Sequence, residues 1–374
     1  MTEHGSISGG PGFLARDRLQ ALIDGILAAG YACLGPKVRD GAILYEPLDN
    51  AAELPVGVRD HQIPGQYRLE RGDGPRCFAW ATGPQALKPH LFAPREVLWR
   101  AERGPDGRIV FSDPQAGVKP VALFGARACD LAALHLQDRH FLEGPYPDPH
   151  YAARRRKLLV VAVNCSHPAQ TCFCASTGDG PHASAGYDLA LTEFDDGFVI
   201  HAGSATGARL VEPLRLSAAT PAQREAQARQ AEQAAQSQSR SLPSRNLRSA
   251  LFANLEHPRW SDVAERCLSC GNCTSVCPTC FCHSEAEELD LGGARSEHVR
   301  QWDSCFTAGH GYMNGHQVRP DTRTRYRQWL THKLGGWHDQ YGRSGCVGCG
   351  RCIAWCPAEI DLTEEAAAIC GASA

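Results

Sequence analysis

Apolar residues recur at helical spacing through LARDRLQALIDGILAAG (14–30) and stop at a glycine, and AILYEPL (42–48) follows as a strand. VALFG (121–125) is a short apolar run that breaks at Gly125. The pattern then takes a helical period in DLAALHLQDRHFL (130–142), with Asp130 as the expected N-cap. LLVVAV (158–163) is a second buried strand with an irregular, cysteine-bearing loop after it. YDLALTEF and FVIHAG flank the Asp-Asp-Gly turn at 195–197 as a hairpin. The first half is therefore predicted to be α/β.

Near residue 218 the character changes. PAQREAQARQAEQAAQSQSRS (221–241) is rich in Ala, Gln and Arg and nearly free of large apolar residues, which fits a solvated helix or linker. From SRNLRSALFANL onward the segments are helical, punctuated by cysteine loops, with no alternating strand. The expected fold class is α+β multidomain. An N-terminal α/β domain (1–217) leads through an Ala/Gln-rich helix or linker (218–245) to an all-helical domain with cysteine loops (246–374). At 374 residues the chain is long enough for two or three cores.

Composition removes several classes of function. A net charge of −3 with 21% charged residues gives no global field for nucleic acid. No run approaches the ~18 to 20 apolar residues of a membrane span, and the start, MTEHGSISGGPG, lacks the apolar core of a signal peptide. A cytoplasmic protein is expected, free of membrane and nucleic acid. Disulfides are rare in that compartment, so the 18 cysteines point to metal ligation.

Two runs carry the chemistry. CLSCGNCTSVCP (267–278) and CVGCGRCIAWCP (346–357) both read C-x2-C-x2-C-x3-C-P, the spacing of bacterial two-cluster ferredoxins, in which the fourth cysteine ligates the other cluster. Three thiolates on a tight loop can cap three corners of one cubane, while the fourth leaves on a departing helix. The expected sets are Cys267, Cys270, Cys273 and Cys356 for one cluster, and Cys346, Cys349, Cys352 and Cys277 for the other. Pro278 and Pro357 end the ligand loops, and Gly271 and Gly350 let backbone amides approach the sulfurs. A pair of zinc sites would favour two separated C-x2-C pairs or added histidines. Sixty-three residues separate Cys282 from Cys346, and a helical insertion is expected there, so that 246–374 is expected to be an all-helical ferredoxin-like domain with two 4Fe-4S clusters.

Other cysteines have weaker patterns. Cys129 in GARACD, and Cys165, Cys172 and Cys174 in NCSHPAQTCFC, each follow a predicted buried strand. If those strands are parallel neighbours, both loops emerge at the carboxyl edge of the sheet, where four thiolates could surround a third cluster. The alternative is buried, inert thiols. Cys280, Cys282 and Cys305 have no cubane spacing and are candidates either for tuning a neighbouring cluster or for binding something further. Cys33, Cys77 and Cys370 are isolated. The basic segment RPDTRTRYRQWLTHK (319–333) is expected to be a solvated helix face, the alternative being a dock for an acidic partner. No H-x3-H or H-E-x-x-H pattern proposes a histidine metal site, and no glycine-rich nucleotide motif is present.

In PGQYRL (64–69), GARACDLAAL (125–134), NCSHPAQTCFC (164–174), GYDLALTE (186–193), CLSCGNCTSVCPTCFC (267–282), WDSC (302–305) and GCVGCGRCIAWCP (345–357), the chain resembles the beta subunits of soluble sulfhydrogenases. These belong to NAD(P)-linked nickel-iron hydrogenases, and the chain is similar as well to the related A subunit of anaerobic sulfite reductase. The resemblance implies a non-catalytic electron-transfer subunit. Its partners would be a flavin subunit (FAD, NAD(P)H-binding) and nickel-iron hydrogenase subunits, or a sirohaem-bearing sulfite reductase subunit. It also strengthens the third cluster. A sulfur- or polysulfide-reducing subunit, with the cysteines near CPTCFC as the active site, is the catalytic alternative.

Overall fold

The computed structural model describes residues 10–113, 118–242 and 246–371. Most of the polar start (1–9) and the last residues of the expected linker (243–245) lie outside the described residues.

Eight strands form the main sheet: β1 (Gly12–Ala15), β2 (Ala32–Arg39), β3 (Ala42–Pro47), and, after a two-stranded ribbon of β4 (Val58–Ile63) and β5 (Gln66–Arg71) and a second sheet described below, five more. That second sheet begins with β6 (Arg95–Arg103) and β7 (Ile109–Ser112). The main sheet resumes with β8 (Val121–Ala126), β9 (Leu158–Val163), β10 (Leu189–Glu193), β11 (Gly197–Ala202) and β12 (Ser217–Ala218). Its order is β12-β1-β11-β10-β9-β8-β2-β3. β2, β8, β9 and β10 run parallel in the middle, and antiparallel pairs close both edges.

The unbroken apolar runs of β8 and β9 follow from this topology, because a parallel sheet is covered on both faces. Phe124, Val161 and Leu191 point to one side, where they pack with Leu22, Ile23 and Ile26 of the helix Leu19–Ala28. Leu123, Val160 and Ala190 point to the other, against Leu131, Leu134 and Phe141 of the helix Ala128–Leu142. The second helix begins before Asp130. Arg127 holds the cap position, and Asp130 stands three residues in, its carboxylate accepting from the Arg127 amide at 3.0 Å.

The expectation of an all-helical C-terminal domain is overturned. The stretch between the cysteine runs opens with a hairpin of β13 (His283–Leu289) and β14 (Arg295–Trp302), and β14 pairs antiparallel with β6, giving a four-stranded sheet ordered β13-β14-β6-β7. The chain is thus mixed α/β, with the cluster runs inside a fold that uses strands from both halves. The reason for the miss is physical. β13 reads HSEAEEL and exposes five of its seven residues, so its alternation is written in charge. His298 bridges Glu287 at 2.5 Å and Glu285 at 3.2 Å across the hairpin, and its ring stacks on Trp99 of β6 at 4.9 Å. Cross-strand pairs of this kind hold a sheet that has little apolar face.

Helices make up most of the rest of that half, beside a short ribbon of Tyr312–Met313 and His316–Gln317. Trp260, Tyr326, Trp329, Leu330, Ile360 and Ile369 build a second core, and Cys267, Cys273, Cys305, Cys346, Cys352 and Cys356 pack against it. The expected linker is a helix, Pro221–Gln236, entered through a Thr220–Gln223 capping box. Among the described residues no helix is long and apolar enough to cross a membrane.

Candidate iron-sulfur centres

β8 and β9 are parallel neighbours, so the loops after them leave the same edge of the sheet. Cys129 is the second residue of the helix after β8, and Cys165, Cys172 and Cys174 lie on the loop after β9. The two loops are tied by Arg127, 1% exposed, which donates to the carbonyls of Phe78 and Trp80 at 3.0 and 2.8 Å and to those of Val163 and Asn164 at 3.3 and 3.4 Å. The Asn164 side chain fixes the second loop by bonds to Thr192 and to the Ala183 amide, both 2.8 Å. Cys129, Cys172 and Cys174 are buried, Cys174 near enough for its charge to act on the other two, and Cys165 acts on Cys172 and Cys174. Burial, then repulsion by neighbouring acidic groups, pushes the Cys129 and Cys172 thiols well above the ordinary thiol range.

This quartet meets the second ferredoxin run directly. Gly348 has φ +63°, and a Cβ there would stand 2.5 Å from the Cα of Cys174; a Cβ on Gly350, φ +71°, would stand 2.2 Å from the Thr171 carbonyl oxygen. Only glycine permits so close an approach. The Phe173 amide donates to the Gly348 carbonyl at 2.8 Å. Arg351 pairs with Asp130, both 1% exposed. Gln238, just past the Ala/Gln-rich helix, donates to the Cys174 sulfur at 3.3 Å and accepts from the Ala175 amide at 3.0 Å.

In the ferredoxin region, Cys267, Cys270, Cys273 and Cys356, the four thiols expected to share a cluster, line one cavity together with Phe306, Tyr326, Ile360 and Cys352 of the other expected set. Cys277 sits where its charge reaches Cys346, Cys349 and Cys352. Burial and mutual repulsion hold Cys273 and Cys352 well above the ordinary thiol range. Four thiolates crowded into an apolar wall need a cationic core to carry their charge, and the donor sets fit 4Fe-4S groups. Among the described residues no three or more His, Cys, Asp or Glu groups close on a single metal ion.

Cys280, Cys282 and Cys305 also come together. The Asp303 amide bonds the Cys282 carbonyl at 3.0 Å, which continues the β13/β14 register and folds Cys305 back over Cys282. A hydrogen bond from Cys305, aided by His310, brings the Cys282 thiol down to about 4 against the burial that opposes it, while Cys305 is pushed up. Sequence reasoning missed Lys88 near these thiols and Gln238 on Cys174, each arriving from a distant part of the chain, and His310, five residues after Cys305; Lys333 it read only as the end of a basic, solvated face. The isolated thiols are elsewhere: Cys33 lies in the main core, where burial raises it to about 12, and Cys77, raised to about 12 by burial, accepts from Arg16 at 3.5 Å.

The basic segment is anchored rather than free. In the helix Thr322–Thr331, Arg323 and Arg327 both pair with Glu256 at 2.7 and 2.8 Å, and Arg325 donates to the carbonyls of Phe306, Arg319 and Pro320.

The fold and these thiols define an iron-sulfur protein, and residues 266–360 match the 4Fe-4S dicluster domain family. The chain is 31% identical over 283 residues to the sulfhydrogenase 2 subunit beta of Pyrococcus furiosus, covering 73% of this chain and 79% of that one. It belongs to the family of sulfhydrogenase beta subunits and serves as an iron-sulfur electron-transfer chain. No solved structure matches it.

Proposed function

We propose that this chain conducts electrons between a flavin subunit that exchanges hydride with NAD(P)H and a nickel-iron hydrogenase module. Family membership supports partners of the hydrogenase type. The observation that carries the conducting role is the contact of the strand-end quartet with the second ferredoxin run, through Phe173, Gly348, Asp130 and Arg351.

In this proposal Cys267, Cys270, Cys273 and Cys356 hold one 4Fe-4S group. Cys346, Cys349, Cys352 and Cys277 hold a second, and Cys129, Cys165, Cys172 and Cys174 a third. Such groups, when bound, supply one-electron carriage at potentials set by charge, hydrogen bonds and exposure. The chain's own contribution is position. Gly348 and Gly350 bring the second and third thiol sets into backbone contact, Gln238 donates to the Cys174 sulfur, and Phe306 and Tyr326 give the first set an apolar wall on its inner side. On the surface, Cys270 and the 67% exposed Leu268 bring the first set to the solvent edge, where a partner can receive electrons.

The test is the metal and cofactor content of the complex purified anaerobically through this subunit from its own host. Nickel and flavin without sirohaem are the expected result. Sirohaem without nickel would overturn the hydrogenase assignment and place the chain in sulfite reduction.

A further inference from the structure

The eight cysteines of the ferredoxin runs and the four of the strand-end loops leave Cys280, Cys282 and Cys305 without a role. We propose that these three thiols, with the imidazole of His310 as fourth donor, hold a further iron-sulfur cluster.

Three observations converge. The first is the hairpin. His283 pairs with Trp302, and the Asp303 amide bonds the Cys282 carbonyl at 3.0 Å, so the base of the hairpin delivers the two ends of the chain that carry the thiols to one place. Cys280 is 8% exposed and abuts Cys277, while Cys305 lies within electrostatic reach of Cys280, Cys282 and Cys273.

The second is the histidine. His310 Nδ1 is bonded to Asp303 Oδ2 at 3.1 Å, and the ring reaches Cys282 from the other side. A carboxylate that fixes one ring nitrogen and aims the other at a metal is the usual support of a histidine ligand. Asp303 serves that purpose two residues before Cys305.

The third is charge. Lys88 and Lys333 are 6% and 5% exposed. Lys88 Nζ donates to the carbonyls of Thr274, Ser275 and Cys277 at 3.2 to 3.4 Å and lies 3.8 Å over the Trp302 ring; Lys333 Nζ donates to Thr279 Oγ1 at 2.9 Å and lies 4.5 Å from the Trp337 ring. Among the described residues neither ammonium has a carboxylate at ion-pair distance. Buried cations need a nearby anion, and the anion-forming groups that act on Lys88 are Cys280, Cys277 and Cys282. A thiolate-ligated cluster at Cys280, Cys282 and Cys305, beside the one that takes Cys277, supplies negative charge where both lysines point.

Three thiols and an imidazole are also a donor set for zinc. The donors here do not close on one point as a tetrahedral ion requires, and they lie within electrostatic reach of Cys273 and Cys277 of the first ferredoxin run. The inference concerns this chain's residues alone and does not depend on which partners it serves.

The experiment compares the full-length protein, purified anaerobically, with Cys282→Ser/Cys305→Ser and with His310→Cys. The double variant should lose about four iron and four sulfide per chain, the content of one cubane, while the EPR signals of the ferredoxin clusters persist. Reduced wild type should show nitrogen hyperfine coupling in pulsed EPR, and His310→Cys should abolish that coupling while keeping the iron. Iron content equal to wild type in the folded double variant would overturn the proposal, as would one zinc per chain lost in that variant. If the double variant does not fold, the absence of nitrogen coupling in wild type overturns it equally. Loss of iron from Cys349→Ala with no change here would separate failure of this site from failure of the ferredoxin assignments.

Discussion

The amide of Phe173 donates to the carbonyl of Gly348 at 2.8 Å, so the cysteine loop of the parallel sheet and the second ferredoxin run share a backbone hydrogen bond. Residues 175 positions apart in sequence thereby set the spacing between two groups of thiols. Gly348 is the weak point of that contact. An alanine would carry about 1–2 kcal/mol of left-handed backbone strain and a Cβ 2.5 Å from the Cys174 Cα. Gly348→Ala should therefore lower the iron content and shift the EPR signals of both neighbouring centres, whereas Gly342→Ala, with nothing within 4 Å of its Cβ position, should leave them unchanged.

The Asp130–Arg351 pair is buried on both sides and stands beside Cys129 and Cys349. Removing one member of such a pair leaves an uncompensated charge and costs about 3–5 kcal/mol. Arg351→Met should show a loss of that size in denaturant unfolding under anaerobic conditions. Asp130→Asn/Arg351→Met should be milder than the sum of its single variants, because the charges vanish together.

Glu96 fastens β6 to the rest of the fold. Burial favours its neutral form, yet the His150 ring 3.6 Å away and hydrogen bonds from Arg154 and Arg300 bring its carboxyl down to about 2. A depressed carboxyl stabilises the folded state above its unfolded pKa, and that stability is lost as pH falls from about 4.5 toward about 2. Amide exchange in β6 and β14 should accelerate through this window. In Glu96→Gln the exchange should be fast already at neutral pH and lose its acid dependence, since bonds to a charged group are each worth about 1.5–3 kcal/mol.

Lys88 is a buried positive charge facing Cys277, Cys280 and Cys282. Taking it away disfavours the reduced, more negative state of any cluster held there. A unit charge at roughly 10 Å and an effective dielectric near 20 is worth about 1.7 kcal/mol, roughly 70 mV for one electron. Lys88→Met should lower the midpoint potential of the nearest centre by something of that order in an EPR-monitored titration, while Arg95→Met, on an exposed strand position, should not.

The parts of this architecture that could be read from sequence were those with a local code. Ligand spacing in 267–278 and 346–357 is fixed by the turn of one loop, and β8 and β9 announce themselves because both of their faces are buried. The hairpin of β13 and β14 could not be read in the same way, since its partner strand β6 lies some 200 positions earlier and its pairs are ionic. Gln238 stood in a segment whose composition suggested only solvent, yet it donates to a sulfur 64 positions away. The burial of Lys88 and Lys333 was illegible for a related reason: lysine is ordinarily exposed, so Lys333 read as the end of a solvated basic face, and only the packed thiols around the two make their burial tolerable.

Coupled turnover between NAD(P)H and hydrogen in the purified complex, wild type against Cys349→Ala, tests the conducting role most directly. Cys349 belongs to the second ferredoxin run and acts on Cys129, Cys172 and Cys174 of the strand-end quartet. The account predicts that the variant loses coupled turnover while the flavin and hydrogenase partners keep their separate reactions with artificial carriers. Coupled turnover at the wild-type rate would contradict it.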